Sequence, residues 1–250
     1  MVYYNKKIVQ IIKKPFFIFE IDNFFDLDFY SDIKKIFPKV LPDELSLSDN
    51  FGKKVINQSE ISNLDKNHKE TFEKLNRVFL SKDFFNLFIK KIYLPNVKSQ
   101  KNIFRKLKYL RYPILDYNKK FLLDFFLSKI SVNYQFSYIK NNGGIIPHVD
   151  AQRKFLSLML YMPDEDGKDI NYGTTFWDFK SSNFTNKHIG EKDLLEQFRA
   201  EGKVLYKTPF EPNCLYGFIR NDFSWHTVEP VNIDQNYIRK SININFIYNN

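Results

Sequence analysis

Ser131-Val-Asn-Tyr-Gln-Phe-Ser-Tyr-Ile139, Asn141-Asn-Gly-Gly144 and Ile145-Ile-Pro-His-Val-Asp150 follow one another along the chain. The first alternates as a strand does, the second carries turn chemistry, and the third is extended again. Working toward the C-terminus, Phe155 to Met162, Thr174 to Phe179, Val204 to Thr208, Cys214 to Ile219, Trp225 to Val228 and Arg239 to Tyr248 have the same short, β-branched and aromatic character. Turn signals separate them: Pro163-Asp-Glu-Asp-Gly167, Glu211-Pro-Asn213 and Arg220-Asn-Asp222. Eight short strands punctuated in this way predict a β-sandwich or jelly roll. One helix is expected in this half, over Asp193 to Ala200, inside a long insertion between Lys180 and Lys203 that is a lid or a plain surface excursion.

Working toward the N-terminus, the pattern is helical. Pro15 to Ile21 reads as a strand, closed by Asp22-Asn23. Asp26 or Asp28 caps a helix to Phe37, with Phe29, Ile33, Ile36 and Phe37 at helical spacing and Pro38 as its stop. Val40 to Ser62 shows little pattern and reads as loop. Leu64 to Leu94 is helical twice over, through Phe72, Leu75, Phe79 and Leu80, then, after a Ser81 cap, through Phe84, Phe85, Phe88, Ile89 and Ile92, with Pro95 ending it. Phe121 to Ile130 is ambiguous. The expectation is an α+β chain with a mainly β core: one domain over 1–250, in which 1–130 forms a strand and helical supporting layer and 131–250 a double-stranded β-helix of jelly-roll or cupin type.

The 250 residues include 27 Phe and 15 Tyr, enough for a packed interior, so disorder is excluded. A net charge of +9 raises a nucleic-acid partner, but the lysines are scattered, as on a solvated basic surface. Lys98 to Arg111 is the densest basic run and carries what remains of that reading. A single cysteine, Cys214, rules out an intrachain disulfide. Ile8 to Ile12 is too short and too flanked by lysine for a secretory signal, and no run approaches the ~18 apolar residues of a membrane span. The expectation is a soluble, cytoplasmic protein of open oligomeric state.

Four histidines occur, and any one taken singly is more often structural than a ligand. His68 lies in a polar helical stretch and His188 in the polar insertion. His148 and His226 lie in strand contexts, and Asp150 stands two residues after His148, where period-two geometry puts both side chains on one face. Two histidines and one carboxylate on one face of an octahedron, with positions left open, suit a non-haem Fe(II) centre that activates O2. Along the last strand Arg239, Ser241 and Asn243 share one face, and Lys240, Ile242, Ile244 and Phe246 the other. A buried arginine needs a partner. That partner is a bound carboxylate helped by Ser241, or an internal acid, or water on a wet face.

The order His148-Val-Asp150, His226, Arg239-Lys-Ser241 resembles the Fe(II)/2-oxoglutarate-dependent dioxygenases. The flanking sequence is similar to their prolyl-hydroxylase-like branch: Asn142-Gly-Gly-Ile-Ile-Pro-His-Val-Asp150, Leu156-Ser-Leu-Met-Leu-Tyr-Met-Pro163, Tyr172-Gly-Thr-Thr-Phe176 and His226-Thr-Val-Glu-Pro-Val231. The resemblance implies a double-stranded β-helix holding iron through His148, Asp150 and His226, with Arg239 and Ser241 on the distal carboxylate of 2-oxoglutarate. It also implies O2-dependent hydroxylation with release of succinate and CO2, of an amino-acid-like molecule or a peptidyl residue such as proline. An aspartate at 150 leaves no vacancy for halide, which disfavours the halogenating relatives. The family's second 2-oxoglutarate contact falls loosely on Tyr138 or, by strand parity, on Asn133 or Gln135. Trp225, Phe176 and Trp177 are candidate pocket walls or ordinary core, and Asp178 and Arg153 possible substrate contacts. The alternatives are a cupin-like metal protein that makes no use of Arg239 and a non-catalytic jelly-roll binding module.

Overall fold

The computed structural model describes residues 3–39, 50–61, 69–98, 129–164, 172–179, 189–190, 192–230 and 236–249. Eleven strands are described, and they form two antiparallel sheets. In chain order they are β1 (Val9–Ile12), β2 (Ile18–Ile21), β3 (Lys53–Asn57), β4 (Ile130–Lys140), β5 (Ile145–His148), β6 (Lys154–Tyr161), β7 (Thr175–Asp178), β8 (Lys203–Lys207), β9 (Leu215–Ile219), β10 (Trp225–Val228) and β11 (Ile238–Tyr248). The larger sheet has the order β1-β2-β9-β6-β11-β4-β3 and the smaller β5-β10-β7-β8. Chain order alternates between the sheets, β4 to β5, β6 to β7, β8 to β9 and β10 to β11. That alternation is a double-stranded β-helix, as the strand pattern predicts.

All eight strands expected from the second half of the chain are present. β11 is the centre of the large sheet, pairing with β4 along eleven residues from Ile238↔Lys140 to Tyr248↔Ile130, and with β6 on its other edge. Its even-numbered residues Ile242, Ile244 and Phe246 are fully buried. They meet the helices α1 (Leu27–Ile36), α3 (Lys69–Phe79) and α4 (Lys82–Asn86), which cover this outer face with Phe72, Leu75, Phe79 and Phe84, joined by Phe88 just beyond α4. The Phe84 ring stacks on Phe246 at 6.1 Å, and Phe72 meets Phe136 edge-on at 6.0 Å. Each such ring buried on folding stabilises by about 1.5–3 kcal/mol. Both helix caps stand where the sequence puts them: Asp26 Oδ1 accepts from the Phe29 N–H at 2.9 Å, and Ser81 Oγ from the Phe84 N–H at 3.0 Å.

Two expectations of the N-terminal half are corrected. Within Val40 to Ser62, read as loop, Lys53–Asn57 is an edge strand on β4, from Lys53↔Ile139 to Asn57↔Gln135, followed by a helical turn α2 (Gln58–Ile61). Five residues with β-branched Val55 and Ile56 at the centre are too few to show a period, and pairing with β4 supplies the rest. Pro95 does not end the helical stretch either. The chain runs through a π-helix at Leu87–Tyr93 into α5 (Leu94–Lys98). The wide turn re-registers the ladder, with the Leu94 N–H on the Ile89 carbonyl, and Pro95 falls in the first turn of α5.

The insertion helix, α6 (Lys192–Glu201), lies against the outer face of the small sheet: Phe198 meets Trp177 at 5.3 Å, Phe179 at 4.6 Å and Trp225 at 5.6 Å. The rest of the insertion, 180–188 and 191, and the basic run beyond Lys98, Phe121 to Ser128, His68 and His188 lie outside the described residues. No helix among the described residues is long and apolar enough to cross a membrane.

Candidate metal centre

β10 lies between β5 and β7 in the small sheet, and its pairing sets His226 directly opposite His148. Opposed residues of an antiparallel pair project to the same face, and the two imidazole centroids are 4.1 Å apart. Asp150 follows β5 by two residues. One ligand atom from each of His148, Asp150 and His226 lies within 4.8 Å of the others, and among the described residues no other group of His, Cys, Asp and Glu is so placed.

The protons of this cluster are assigned by its hydrogen bonds. His148 Nδ1 lies 2.9 Å from the Ile146 carbonyl and His226 Nδ1 2.9 Å from the Ser224 carbonyl. A carbonyl only accepts, so each Nδ1 carries the hydrogen and each Nε2 keeps its lone pair. Burial holds both imidazoles below their ordinary pKa, and for His148 the neighbouring His226 adds to it. Both rings are therefore neutral at pH 7, the form that binds a metal. Burial alone would raise the Asp150 carboxyl, but His226, Lys154, His148 and a hydrogen bond from Ser157 outweigh it and hold it well below the usual range. With the imidazoles neutral at pH 7, the ammonium of Lys154 at 3.4 Å and the Ser157 hydroxyl at 2.6 Å are what keep it ionised there. The Arg220 Nε–H donates to the Asp150 carbonyl at 3.1 Å and fixes the backbone that carries it. Two neutral imidazoles and one carboxylate, each with its second atom already held, are a donor set that fits a divalent iron.

The triad opens on a cavity between the two sheets, with about 570 Å³ of empty space counted together with its mouth and the open solvent there. Its floor is the inner face of the large sheet. Arg239, Ser241, Asn243 and Asn245 of β11, Gln135 and Ser137 of β4 and Ser157 of β6 all line it. Arg239 is 2% exposed. Its Nε–H donates to the Tyr172 carbonyl at 2.5 Å, and its guanidinium lies 4.6 Å from the Phe210 ring centre and 5.2 Å from that of Tyr161. Among the described residues no carboxylate is within salt-bridge distance of it. Burial lowers its pKa, with Tyr161 and Tyr237 working against the shift, yet a guanidinium keeps its proton in a protein. Carbonyl and π-faces orient this cation without neutralising it, which leaves the internal-acid alternative without a candidate among the described residues. Ser241 lies beside it on the strand, its hydroxyl donating to Asn243 Oδ1 at 3.2 Å.

Several expected site residues fall elsewhere. Tyr138 is on the opposite face of β4, buried among the helices with Phe37 at 5.3 Å, and its hydroxyl donates to the Pro38 carbonyl at 2.8 Å. Asn133 has the inward parity but is exposed beyond the cavity, whereas Gln135, two residues on, lines it. Trp225 and Trp177 face outward under α6, and Phe176 packs with Phe16, Ile18 and Phe218, so all three are core. Asp178 and Arg153 do not line the cavity.

Lys53 is the residue that sequence reasoning missed. It points from β3 into the cavity, and burial, with Lys154 and Arg239 nearby, pushes its amine down to about 8. A five-residue edge strand carries no signal of its own in the sequence, so the lysine had no face to be assigned to.

Solved structures resemble this chain in fold. The epimerase SnoN, determined in complex with Fe3+, alpha-ketoglutarate and nogalamycin RO, matches over 93% of this chain and 81% of its own with a TM-score of 0.50 at 8% identity. The likeness is one of fold, the double-stranded β-helix. A Pseudomonas putida prolyl-4-hydroxylase matches over 92% of each chain, with a TM-score of 0.48 and 11% identity. A Trichoplax adhaerens prolyl hydroxylase, solved with a hypoxia-inducible-factor peptide, does so over 92% of this chain and 83% of its own, with a TM-score of 0.46 and 12% identity. No protein-family model matches the sequence, and no curated protein does.

Proposed function

We propose that the protein is an Fe(II)- and 2-oxoglutarate-dependent dioxygenase that hydroxylates an amino-acid-like small molecule or a peptidyl residue such as proline. His148 and His226 hold the iron through Nε2 and Asp150 through its carboxylate. Bound there, iron with 2-oxoglutarate supplies O2 activation coupled to oxidative decarboxylation, with succinate and CO2 as the co-products. The chain's own contribution is to bind, orient and exclude water. Arg239 takes the distal carboxylate of the co-substrate and Ser241 donates to it, while Tyr161 and Phe210 keep water from the guanidinium. Ser157 and Lys154 hold Asp150 ionised and aimed. Gln135 and Asn243, whose amides face the floor between the triad and Arg239, are in place for the proximal carboxylate. With one cysteine and both imidazoles neutral near pH 7, the reading suits a cytoplasmic setting.

The observation that carries this reading is the buried guanidinium of Arg239, which has no carboxylate in salt-bridge distance among the described residues, in the same cavity as a neutral-imidazole triad. A charge kept from water without a counter-ion costs several kcal/mol, which a bound carboxylate offsets. The test is anaerobic titration of Fe(II)-loaded protein with 2-oxoglutarate, reading the visible charge-transfer band, then succinate after O2 is admitted. Arg239→Ala should weaken 2-oxoglutarate binding by about a hundredfold, the worth of a buried bidentate ion pair, with Fe(II) affinity retained. A metal-loaded protein that shows no band and forms no succinate is a cupin-like protein of other chemistry, and the proposal then fails.

A further inference from the structure

Three cationic side chains, Lys53, Lys154 and Arg239, and one carboxylate, Asp150, line the cavity. Lys154 has its partner in Asp150. Arg239 has its partner in the co-substrate if the function proposed above holds, and the present inference rests on that reading. The Lys53 side chain makes no hydrogen bond or salt bridge among the described residues, the Asp150 carboxylate attracting it only from farther off, and the amides of Gln135 and Asn243 share the floor with it. A divalent iron and a dianionic 2-oxoglutarate cancel one another in charge. The positive surplus of the cavity therefore persists when both are bound, whichever cation each carboxylate meets. A part-buried ammonium facing a low-dielectric cavity with that surplus is unfavourable in the absence of an anion.

We propose that Lys53 is the specificity-determining residue for the primary substrate and that this substrate carries an anionic group, a carboxylate or a phosphate, which Lys53 receives beside the co-substrate. The position of β3 supports this. It is the edge strand of the large sheet, with β4 and β11 between it and the β6 that carries Ser157, and Gly143 and Gly144 at the start of β5 close on the residues that precede it, with the Gly144 N–H donating to the Phe51 carbonyl at 3.0 Å. Lys53 thus enters the cavity at the open side between the sheets. Arg239 stands on the same cross-strand row, one strand away across β4, both residues being in register with Ile139, and it is held among Tyr161, Tyr172 and Phe210. The row therefore presents two cations side by side to two anionic groups.

The test uses the protein loaded anaerobically with Fe(II) and saturating 2-oxoglutarate, with butyrate, inorganic phosphate and the uncharged butyramide as probes. Binding is read by calorimetry and by the shift of the charge-transfer band. Butyrate or phosphate should bind and butyramide should not, and whichever anion binds more tightly identifies the group. Lys53→Met should weaken that anion by at least about tenfold, the value of one charge-assisted hydrogen bond, and Lys53→Arg should restore most of it. Affinity for 2-oxoglutarate, measured on the same variants, should change far less than in Arg239→Ala. Equal binding of butyrate and butyramide, no binding of either anion, or anion binding indifferent to Lys53→Met overturns the inference. So does a loss of 2-oxoglutarate affinity in Lys53→Met as large as that in Arg239→Ala, which would place Lys53 on the co-substrate. Wild-type protein that takes up no Fe(II) or no 2-oxoglutarate overturns the underlying function as well, and this is seen in the loading step, before any probe is added.

Discussion

Lys53 in the metal-free protein is a cation held against its preference. Its amine is pushed down to about 8 from an ordinary 10.5 by burial, with Lys154 and Arg239 adding to the shift. Between those two values the unfolded chain binds a proton that the folded chain does not, so stability rises with pH across the window, and the cost is present in full below it. Lys53→Met should therefore stabilise the metal-free protein at pH 7 by on the order of 1–2 kcal/mol, reduced from the full shift because the side chain is only partly enclosed. The gain should shrink as pH rises from 8 to 10. Urea unfolding of both proteins at pH 7 and pH 10 checks this, and a pH-independent difference would assign the effect to packing instead. The triad obeys the opposite logic to a strained site. Each imidazole is neutral and each Nδ1 is tied to a carbonyl two residues back along the chain, so the metal-ready state is the resting one.

Among the strands, β11 and β9 do most to position the site. β11 presents two unlike faces, Arg239, Ser241 and Asn243 to the cavity and Ile242, Ile244 and Phe246 to the helices. A slip of one residue against β4 would exchange them, burying the guanidinium under phenylalanines. The outer face of β9 is held at the right depth by Gly217. A methyl group there would stand 2.3 Å from Cζ of Phe19 and 2.7 Å from Cδ2 of Leu158, both in the packed layer. Gly217→Ala should cost about 1–3 kcal/mol by overpacking, seen as a lower urea midpoint at unchanged slope, with 2-oxoglutarate affinity kept in the folded fraction. An alanine variant as stable as the wild type would mean that the Phe19 ring moves aside freely. β3 shows the converse, an element with little propensity of its own that forms because β4 offers an unpaired edge.

The two sheets meet at the metal. His148 and His226 come from the small sheet, whereas Asp150 is held by Ser157 and Lys154 of the large one. A bound divalent ion therefore staples the jelly roll across its mouth and stabilises the native state by mass action. Co(II) or Fe(II) at about a hundredfold above its Kd should add about 2.7 kcal/mol, raising Tm by several degrees for a chain of this size. His226→Ala should abolish the rise, and a chelator should reverse it in the wild type. A rise that survives in His226→Ala would place the ion elsewhere.

The alternation of Ser131 to Ile139, the Asn141-Asn-Gly-Gly144 turn and the strand run that follows were enough to read the jelly roll, because a sheet with unlike faces writes its period of two directly into the chain. The triad was equally legible, since His-X-Asp needs only local geometry and the partner histidine could be chosen among the three others. The face of Arg239 was legible for the same reason. The edge strand at Lys53, the outward turn of Tyr138, the loss of Trp225 and Phe176 to the core and the passage of a helix through Pro95 were not. Each depends on which neighbour, hundreds of bonds away, takes up a hydrogen-bonding edge or an apolar face, and that choice is a balance of packing energies that no local pattern encodes. The same holds for the charge of the cavity: the lysines of a basic chain are alike in sequence, and only the closing of the two sheets separates the one that faces an enclosed site from those that face water.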